Sequence, residues 1–283
     1  MHCLYGLTQQ GFDFELKGGT SLSKGYGIIH RFSEDIDIRI NPDYCDSIDV
    51  KTGKNHDRPA HIQSRKDFYD WLAEIIAIPG ITNVSRDPAF DEEKKYRSGG
   101  IRLSYKSHLD DVDGVKEGIL LELGFDDTTP NEPVTISSWA YDKATTANLD
   151  LEDNRAVDIK CYHPGYTFVE KLQAISTKFR KQQETNGQFP ENFLRHYYDV
   201  FCLLSNDKVL DFIQTNDYPK RKDNRFPNAD NQNISENEAF LLSDPDVRQL
   251  YTNEYIKSAS LYYQDKPSLD EIINKIAEYI GQL

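Results

Sequence analysis

The sequence predicts an α+β protein in which a domain of mixed helices and strands, residues 1–158, precedes a domain of helices, residues 159–283. Three observations support this prediction. The length of 283 residues is about twice that of an average domain. Segments that alternate apolar and polar residues, typical of half-buried strands, occur before residue 140. After about residue 160, apolar residues recur every three to four positions, which is typical of amphipathic helices.

Strands and helices are mixed along the first half. The strictest pattern is Asp-Ile-Asp-Ile-Arg-Ile over 35–40, in which every second residue is apolar, as in a half-buried strand. The clearest helix is predicted over 64–78, where Ser64 caps the start and Pro79-Gly80 ends it. Further strands are predicted over 12–17, 96–105, 118–125 and 134–139, a short helix over 20–26, and an acidic loop over 110–114.

Helices predominate in the second half. Apolar residues follow one face of a helix predicted over 166–183. Ser268 and Glu271 have the spacing of a capping box, which predicts the start of a helix over 268–283. Two further helices are predicted over 191–204 and 239–250. The polar segment over 216–233, which contains two prolines, is predicted as a long loop.

The composition fits a folded protein and argues against several classes of function. Lys and Arg total 33 and Asp and Glu total 47, a formal net charge of −14. Because such a surface repels phosphate, general DNA binding is not expected. Hydrophobic residues make up 38% of the chain, more than in disordered acidic chains. No apolar run reaches the roughly 18 residues of a membrane helix, so no membrane partner is expected.

The cysteines and the start of the chain favour a cytoplasmic protein. No signal peptide is recognisable in the first residues. The cysteines are far apart and contain no Cys-x-x-Cys pair, which fits neither a zinc site nor a secreted disulfide framework. We therefore expect reduced thiols. The four positions are Cys3, Cys45, Cys161 and Cys202.

Two acidic residues of the strand predicted over 35–40 are candidate metal ligands. Asp35 and Asp37 are two positions apart, so both carboxylates point to the same face, while the intervening isoleucines face a core. Two carboxylates on one face attract a divalent cation, and Mg²⁺ typically binds one or two carboxylates together with substrate phosphates. The pattern alone equally fits the solvated face of an edge strand.

A glycine-rich turn over 17–21 precedes this strand. Its Gly-Gly pair allows the backbone to approach a phosphate closely, and amides at a helix start can donate to phosphate oxygens. Lys24 and Arg31 add positive charge beside this turn. An ordinary strand-to-helix turn would look the same, so the inference depends on both motifs together: a phosphate-binding turn followed by a metal-binding strand.

Together these motifs resemble one family. Gly18-Gly19-Thr20-Ser21-Leu22 and Arg31-Phe32-Ser33-Glu34-Asp35-Ile36-Asp37-Ile38 closely resemble the AbiEii/AbiGii-type nucleotidyltransferase toxins of the DNA polymerase β-like nucleotidyltransferase superfamily. The resemblance extends over most of residues 12–205. It implies a polymerase β-like nucleotidyltransferase domain with a mixed sheet, then a C-terminal helical bundle. It also implies transfer of an NMP from an NTP.

The superfamily uses a third carboxylate on a later strand, and Glu122 matches that position. It lies in the apolar run over 119–123, where an acid is costly to bury unless it has a partner. Asp126 and Asp127 are rival candidates, and a solvent-facing Glu122 is the alternative. The resemblance implies that Asp35, Asp37 and Glu122 hold two Mg²⁺ ions. Glu122 either completes the metal site or takes the proton of the acceptor hydroxyl.

The helical half carries a second match. The segment 166–172 resembles the family segment whose lysine contacts the triphosphate, which implies that role for Lys171. The segment 195–200 resembles the family's arginine-aspartate-x-tyrosine-aspartate segment, with His196 in place of the first aspartate. Asp199 matches the second aspartate and would orient Lys171 or the acceptor. A solvated lysine and a structural salt bridge from Asp199 to Arg195 remain the alternatives. The implied catalytic residues are Asp35, Asp37, Glu122, Lys171 and Asp199, and the implied nucleotide-binding residues are Gly18, Gly19, Thr20, Ser21, Lys24, Arg31, Ser33 and Lys171.

The resemblance also implies a biological role. Its members are toxins of toxin–antitoxin and phage-defence systems, and some add nucleotides to the acceptor end of tRNA. We therefore expect NTP as substrate, tRNA as acceptor and a cognate antitoxin as partner. Two alternatives stay open: a nucleotidyltransferase with a small-molecule or protein acceptor, and a non-catalytic NTP-binding module. Retention of all three acids argues against the second.

Overall fold

A computed structural model describes residues 1–33, 35–53, 55–107, 118–185, 187–258, 261–264 and 266–283. They form two compact units, one of residues 1–26 and 33–162, the other of residues 27–32 and 163–283. The segment 27–32, predicted within the first domain, therefore belongs to the second unit. The acidic loop predicted over 110–114 lies outside the described residues.

The first unit is built around a mixed sheet. Its strands are β1 (Phe14–Leu16), β2 (Asp35–Ile40), β3 (Ile81–Arg86), β4 (Ser98–Tyr105), β5 (Ile119–Gly124), β6 (Asn131–Ile136) and β7 (Ala156–Tyr162). Among the described residues they form a seven-stranded sheet in the order β3-β4-β5-β2-β1-β7-β6. The β1–β7 and β2–β5 pairs are parallel and the other pairs are antiparallel. Two central strands, β1 and β2, thus carry the predicted glycine turn and acids.

The described residues of the first unit also form four helices. They are α1 (His2–Gln9), α2 (Gly18–Thr20), which continues as a π-helical turn over Ser21–Gly25, α3 (Pro59–Ile75) and α4 (Trp139–Thr146). Short 3-10 turns follow β2 at Pro42–Tyr44 and precede β4 at Pro88–Phe90. Ile36 and Ile38 of β2 share one buried core with Leu4 of α1 and Phe68 of α3. The acids of β2 alternate with these isoleucines and therefore face the opposite side of the sheet.

Two features of the first unit differ from the prediction. The helix predicted over 64–78 begins earlier, with Pro59 at its first position, where the fixed φ of proline suits a helix and no N–H is needed. The Ser64 hydroxyl donates to the carbonyl of His61 at 2.9 Å and is no cap. The sequence pattern missed β7, because Asp158 has a φ of +56° and interrupts the alternation along that strand.

The described helices of the second unit are α5 (Pro164–Glu184), α6 (Arg195–Leu203), α7 (Asp207–Ile213), α8 (Asp217–Arg225), α9 (Glu238–Leu241), α10 (Pro245–Lys257) and α11 (Leu269–Tyr279). Short 3-10 turns lie at Ile234–Glu236 and Ile280–Gln282. The segment 30–32 pairs with 261–263 in this unit: the N–H of Phe32 donates to Leu261 at 2.8 Å and that of Tyr263 to His30 at 3.2 Å. No helix in the described ranges has the length and apolarity to cross a bilayer.

Three predictions for the second unit have clear outcomes. The long loop predicted over 216–233 is wrong, because α8 occupies 217–225 with Pro219 in its first turn, where proline is tolerated. The helix predicted over 239–250 is divided at Leu242, which has a φ of +41°. The capping box is confirmed: the N–H of Glu271 donates to Ser268 Oγ at 3.2 Å, and that of Ser268 to Glu271 Oε2 at 2.7 Å.

Candidate active site

The three predicted carboxylates lie on one face of the sheet in the first unit. The register between β2 and β5 sets Asp37 opposite Glu122. Asp35, two residues before Asp37, lies on the same face of β2. All three acids are partly buried, while Ile36 and Ile38, which alternate with the β2 acids, are buried. Both strands have neighbours on each side. The acids are therefore not on edge strands, which removes one alternative interpretation of each motif.

Asp37 and Glu122 are close enough to affect each other's charge. Burial raises the pKa of Glu122, the negative charge of Asp37 raises it further, and the ammonium of Lys17 opposes both. The two carboxyl groups also share a hydrogen bond. Like charges held this close on a half-buried surface favour uptake of a proton or a cation. Such perturbed acids are typical of functional sites.

The glycine turn passes directly against this pair. The N–H of Lys17 donates to the carbonyl of Asp37 at 2.9 Å, and α2 begins at the next residue, Gly18. Gly18 has a φ of +65°, and a Cβ at this position would lie 2.0 Å from Oδ2 of Asp37. Only glycine therefore allows the turn to approach the carboxylate. The first amides of the helical turn consequently lie next to the acids.

A Gly18→Ala substitution tests this close approach. We expect it to lower the free energy of unfolding by more than the about 1–2 kcal/mol that a left-handed backbone costs an ordinary residue. Transfer activity should fall at least about tenfold, because the reacting groups are displaced. Urea unfolding and a labelled-nucleotide transfer assay measure the two effects.

The matched control is Gly80→Ala. Gly80 lies in the same unit and has a φ of +84°, but a Cβ there would meet no atom within 4 Å. It should therefore show the backbone cost alone and keep full activity. Equal effects of the two substitutions on stability and activity would show that the contact between the turn and Asp37 is unimportant.

The two hydroxyls predicted to bind phosphate, those of Thr20 and Ser21, are buried inside the protein. Thr20 Oγ1 donates to the carbonyl of Asp35 at 2.5 Å, and both Thr20 and Ser21 are buried. The Ser21 hydroxyl has no hydrogen-bond partner among the described residues. Thr20 therefore ties the turn to β2, whereas Ser21 does not. Backbone amides at Gly18 and Gly19 are the groups that suit a phosphate.

Lys24 and Ser33, two other predicted nucleotide-binding residues, also have partners within the first unit. The Nζ of Lys24 lies 3.5 Å from the centroid of the Trp139 ring, and burial lowers its pKa. Trp139 is 52% exposed, and its role as a platform for Lys24 was not predicted. The Ser33 hydroxyl is 3.5 Å from the carbonyl of Asp35. Ser33 therefore contacts the backbone of β2 at Asp35, whereas Lys24 contacts Trp139.

The remaining predicted residues form a buried ion cluster in the second unit. The guanidinium of Arg31 donates to both carboxylate oxygens of Asp199 at 2.7 Å, and Lys171 Nζ lies 3.1 Å from Oδ2 of the same carboxylate. Burial alone would raise the pKa of Asp199, but the charges of Arg31 and Lys171 outweigh it and hold the pKa well below its ordinary range. Asp199 is therefore ionised and Lys171 is not a solvated lysine.

This cluster changes the interpretation of Arg31. Its side chain is 2% exposed, and a further donor, Nη1, bonds the carbonyl of Phe32 at 3.0 Å. The geometry gives Arg31 an internal ion pair, whereas the resemblance implied a phosphate ligand. The salt bridge considered from Arg195 to Asp199 is replaced by the one from Arg31. That partner could not be predicted, because it is 168 residues away in the sequence.

The donor set on the sheet face suits a hard cation. Among the described residues, no three His, Cys, Asp or Glu side chains are gathered as a ready metal site, since Asp35 lies about 6.5 Å along β2 from Asp37. Carboxylate oxygens are nevertheless the ligands that Mg²⁺ prefers. A cation bound here would relieve the repulsion that raises the pKa of Glu122. The residues therefore fit a divalent metal ion.

Comparison with known proteins adds a family. The model of a protein family described as "Nucleotidyl transferase AbiEii toxin, Type IV TA system" matches residues 3–275. No curated protein matches the chain. The crystal structure of an antigenic nucleotidyltransferase-like protein from Paracoccidioides brasiliensis aligns with a TM-score of 0.37 and 13% identity, over 88% of each chain. At that TM-score the likeness carries no argument.

Proposed function

The chain belongs to the AbiEii family of nucleotidyltransferase toxins from type IV toxin–antitoxin systems, and from this premise we propose that it transfers an NMP from an NTP to a hydroxyl of tRNA. One observation carries the proposal. The acids Asp35, Asp37 and Glu122 lie on one face of the central sheet, with the Gly18 turn pressed against Asp37. A polymerase β-like nucleotidyltransferase domain followed by a helical bundle is the corresponding fold.

We propose that Asp35, Asp37 and Glu122 hold the catalytic cations, two Mg²⁺ ions. When bound, such ions neutralise charge on the phosphates and on the attacking and leaving oxygens. The acids need a cation for a second reason, since an NTP brings further negative charge to a face that already carries three carboxyl groups. The reaction should therefore depend on a divalent metal ion.

The residues of the chain have distinct roles in the proposed reaction. The backbone N–H groups of Gly18 and Gly19 bind phosphate oxygens. Glu122, which lies opposite Asp37 in the sheet, accepts the proton of the acceptor hydroxyl. Lys171 neutralises charge on the triphosphate, as the family resemblance implies, and Asp199 keeps that lysine oriented through their contact at 3.1 Å.

The toxin activity follows from the acceptor. Modified tRNA would no longer serve translation, and the type IV family implies a cognate antitoxin that counters this effect. We propose that both act in the cytoplasm, where tRNA is found, and that the system defends against phage.

The direct test is transfer of label from each of four α-labelled NTPs, with Mg²⁺ and total tRNA. An Asp37→Ala variant is the control. Label on tRNA that disappears in the variant would establish the acceptor and identify the preferred base. Label that moves only to a small molecule or a protein would contradict the tRNA acceptor, and transfer that survives in the variant would contradict the site.

Removal of metal is expected to stop the reaction. Excess EDTA should lower transfer at least about 100-fold, because phosphate charge and the three acids are then no longer compensated. Added Mg²⁺ should restore it. Transfer that continues unchanged in EDTA would contradict a metal-dependent mechanism, and the same label assay measures both results.

A further inference from the structure

Lys17 is a cation on the active face of the sheet that the sequence motifs left without a role. It directly follows β1, and its N–H bonds the carbonyl of Asp37. Its Nζ lies 3.8 Å from the position that a Cβ on Gly124 would occupy. Gly124 lies on β5, two strands from β1, which is about 9–10 Å. The side chain of Lys17 therefore extends across β2.

This path brings the ammonium beside the acids. Gly124 is two residues after Glu122 on the same strand, so both positions lie on one face. Lys17 thus lies within electrostatic range of the Asp37–Glu122 pair.

Lys17 does not serve as the structural counter-ion of a described carboxylate. Within the described ranges it forms no ion pair at 4 Å or less, whereas Lys160 on neighbouring β7 pairs with Asp13 at 3.0 Å. A counter-ion to a carboxylate would be expected at about 2.7–2.9 Å.

We propose that Lys17 binds the phosphate chain of the NTP and stabilises the departing pyrophosphate. The proposal rests on the proposed transfer reaction. In that step the acceptor oxygen forms a bond to the α-phosphorus, and the bond from this phosphorus to the bridging oxygen breaks. The electron pair stays on that oxygen, which leaves with pyrophosphate, and the hydroxyl proton passes to Glu122. Charge grows on the leaving group, where a lysine acts as a point charge.

Lys17→Gln, Lys17→Arg and Lys160→Gln test the proposal in the transfer assay. Lys17→Gln should lower kcat/KM for the NTP about 100-fold, the typical effect of removing one group that stabilises developing charge. It should also weaken product inhibition by pyrophosphate. Lys17→Arg should recover much of the loss. Lys160→Gln, on the same sheet and 47% exposed, should stay within about twofold of the native chain. A Lys17→Gln variant within threefold of native kcat/KM would overturn the proposal.

A binding experiment separates this proposal from the proposed function. Tripolyphosphate with Mg²⁺ is titrated calorimetrically into the native chain and into Lys17→Gln, with no acceptor present. Binding should weaken at least about tenfold in the variant, and equal affinities would overturn the role of Lys17. If the native chain binds tripolyphosphate through Lys17 but labels no tRNA, only the proposed acceptor fails. Should Lys17→Gln not fold by circular dichroism, Lys17→Met, which keeps an apolar stem, replaces it with the same outcomes.

Discussion

Replacing Asp37 by asparagine is expected to lower nucleotide transfer by about 1,000-fold or more while the chain still folds. Asp37 lies next to both Glu122 and the Gly18 turn. It lies opposite Glu122 in the register of β2 and β5, and its Oδ2 lies where a side chain on Gly18 would be. Asparagine keeps the shape but removes the charge that holds a cation. It also removes repulsion from Glu122, so stability should not fall.

The measurement combines the label assay with urea unfolding. Asp43→Asn is the matched control, because Asp43 is an exposed acid in the 3-10 turn that follows β2. It should keep native transfer. An Asp37→Asn variant that retains more than about a tenth of native transfer would contradict the central role of this acid. A variant that is inactive because it is unfolded would be recognised by its unfolding curve.

Replacing Asp199 by asparagine is expected to lower the free energy of unfolding by about 3–5 kcal/mol. The Asp199 carboxylate is fully buried and holds both Arg31 and Lys171. Without the Asp199 charge, the buried Arg31 guanidinium has a positive charge that is no longer neutralised. Removing one partner of a buried ion pair costs far more than the pair contributes. Urea unfolding followed by circular dichroism measures the loss. Asp211→Asn, at an exposed acid of α7, should change it by less than about 0.5 kcal/mol.

Acid should reveal the same ion cluster. The folded pKa of Asp199 is below its ordinary value, which is about 3.9 in an unfolded chain. Its stabilising effect is therefore complete above about pH 5 and is lost as the pH falls through the unfolded pKa towards the folded pKa. Between pH 5 and pH 2 the native chain should lose more stability than Asp199→Asn. A parallel loss of stability in both chains would show that the charge of Asp199 does not stabilise the fold. A variant that loses transfer at unchanged stability would assign Asp199 a purely catalytic role.

The accuracy of the sequence prediction depended on how local each pattern is. The alternation over 35–40 predicted β2 with its bounds, because every second residue reports the same face. The capping box at Ser268 was equally readable, since both partners lie within one turn. By contrast, the left-handed backbone at Asp158 and Leu242 leaves no mark in residue periodicity. Pro219 predicts a break in helical structure, but proline is tolerated in the first turn of a helix, where α8 places it.

The sequence by itself determined which residues share a face of their own strand, as Asp35 and Asp37 do on β2. Only the tertiary structure decided their partners: Asp37 against Glu122 across β2 and β5, Lys17 across the same strands towards Gly124, and Arg31 bound to Asp199 in the second unit. The physical reason is that periodicity encodes the face of an element. Which elements become neighbours depends on burial summed over the whole chain, which no single motif records.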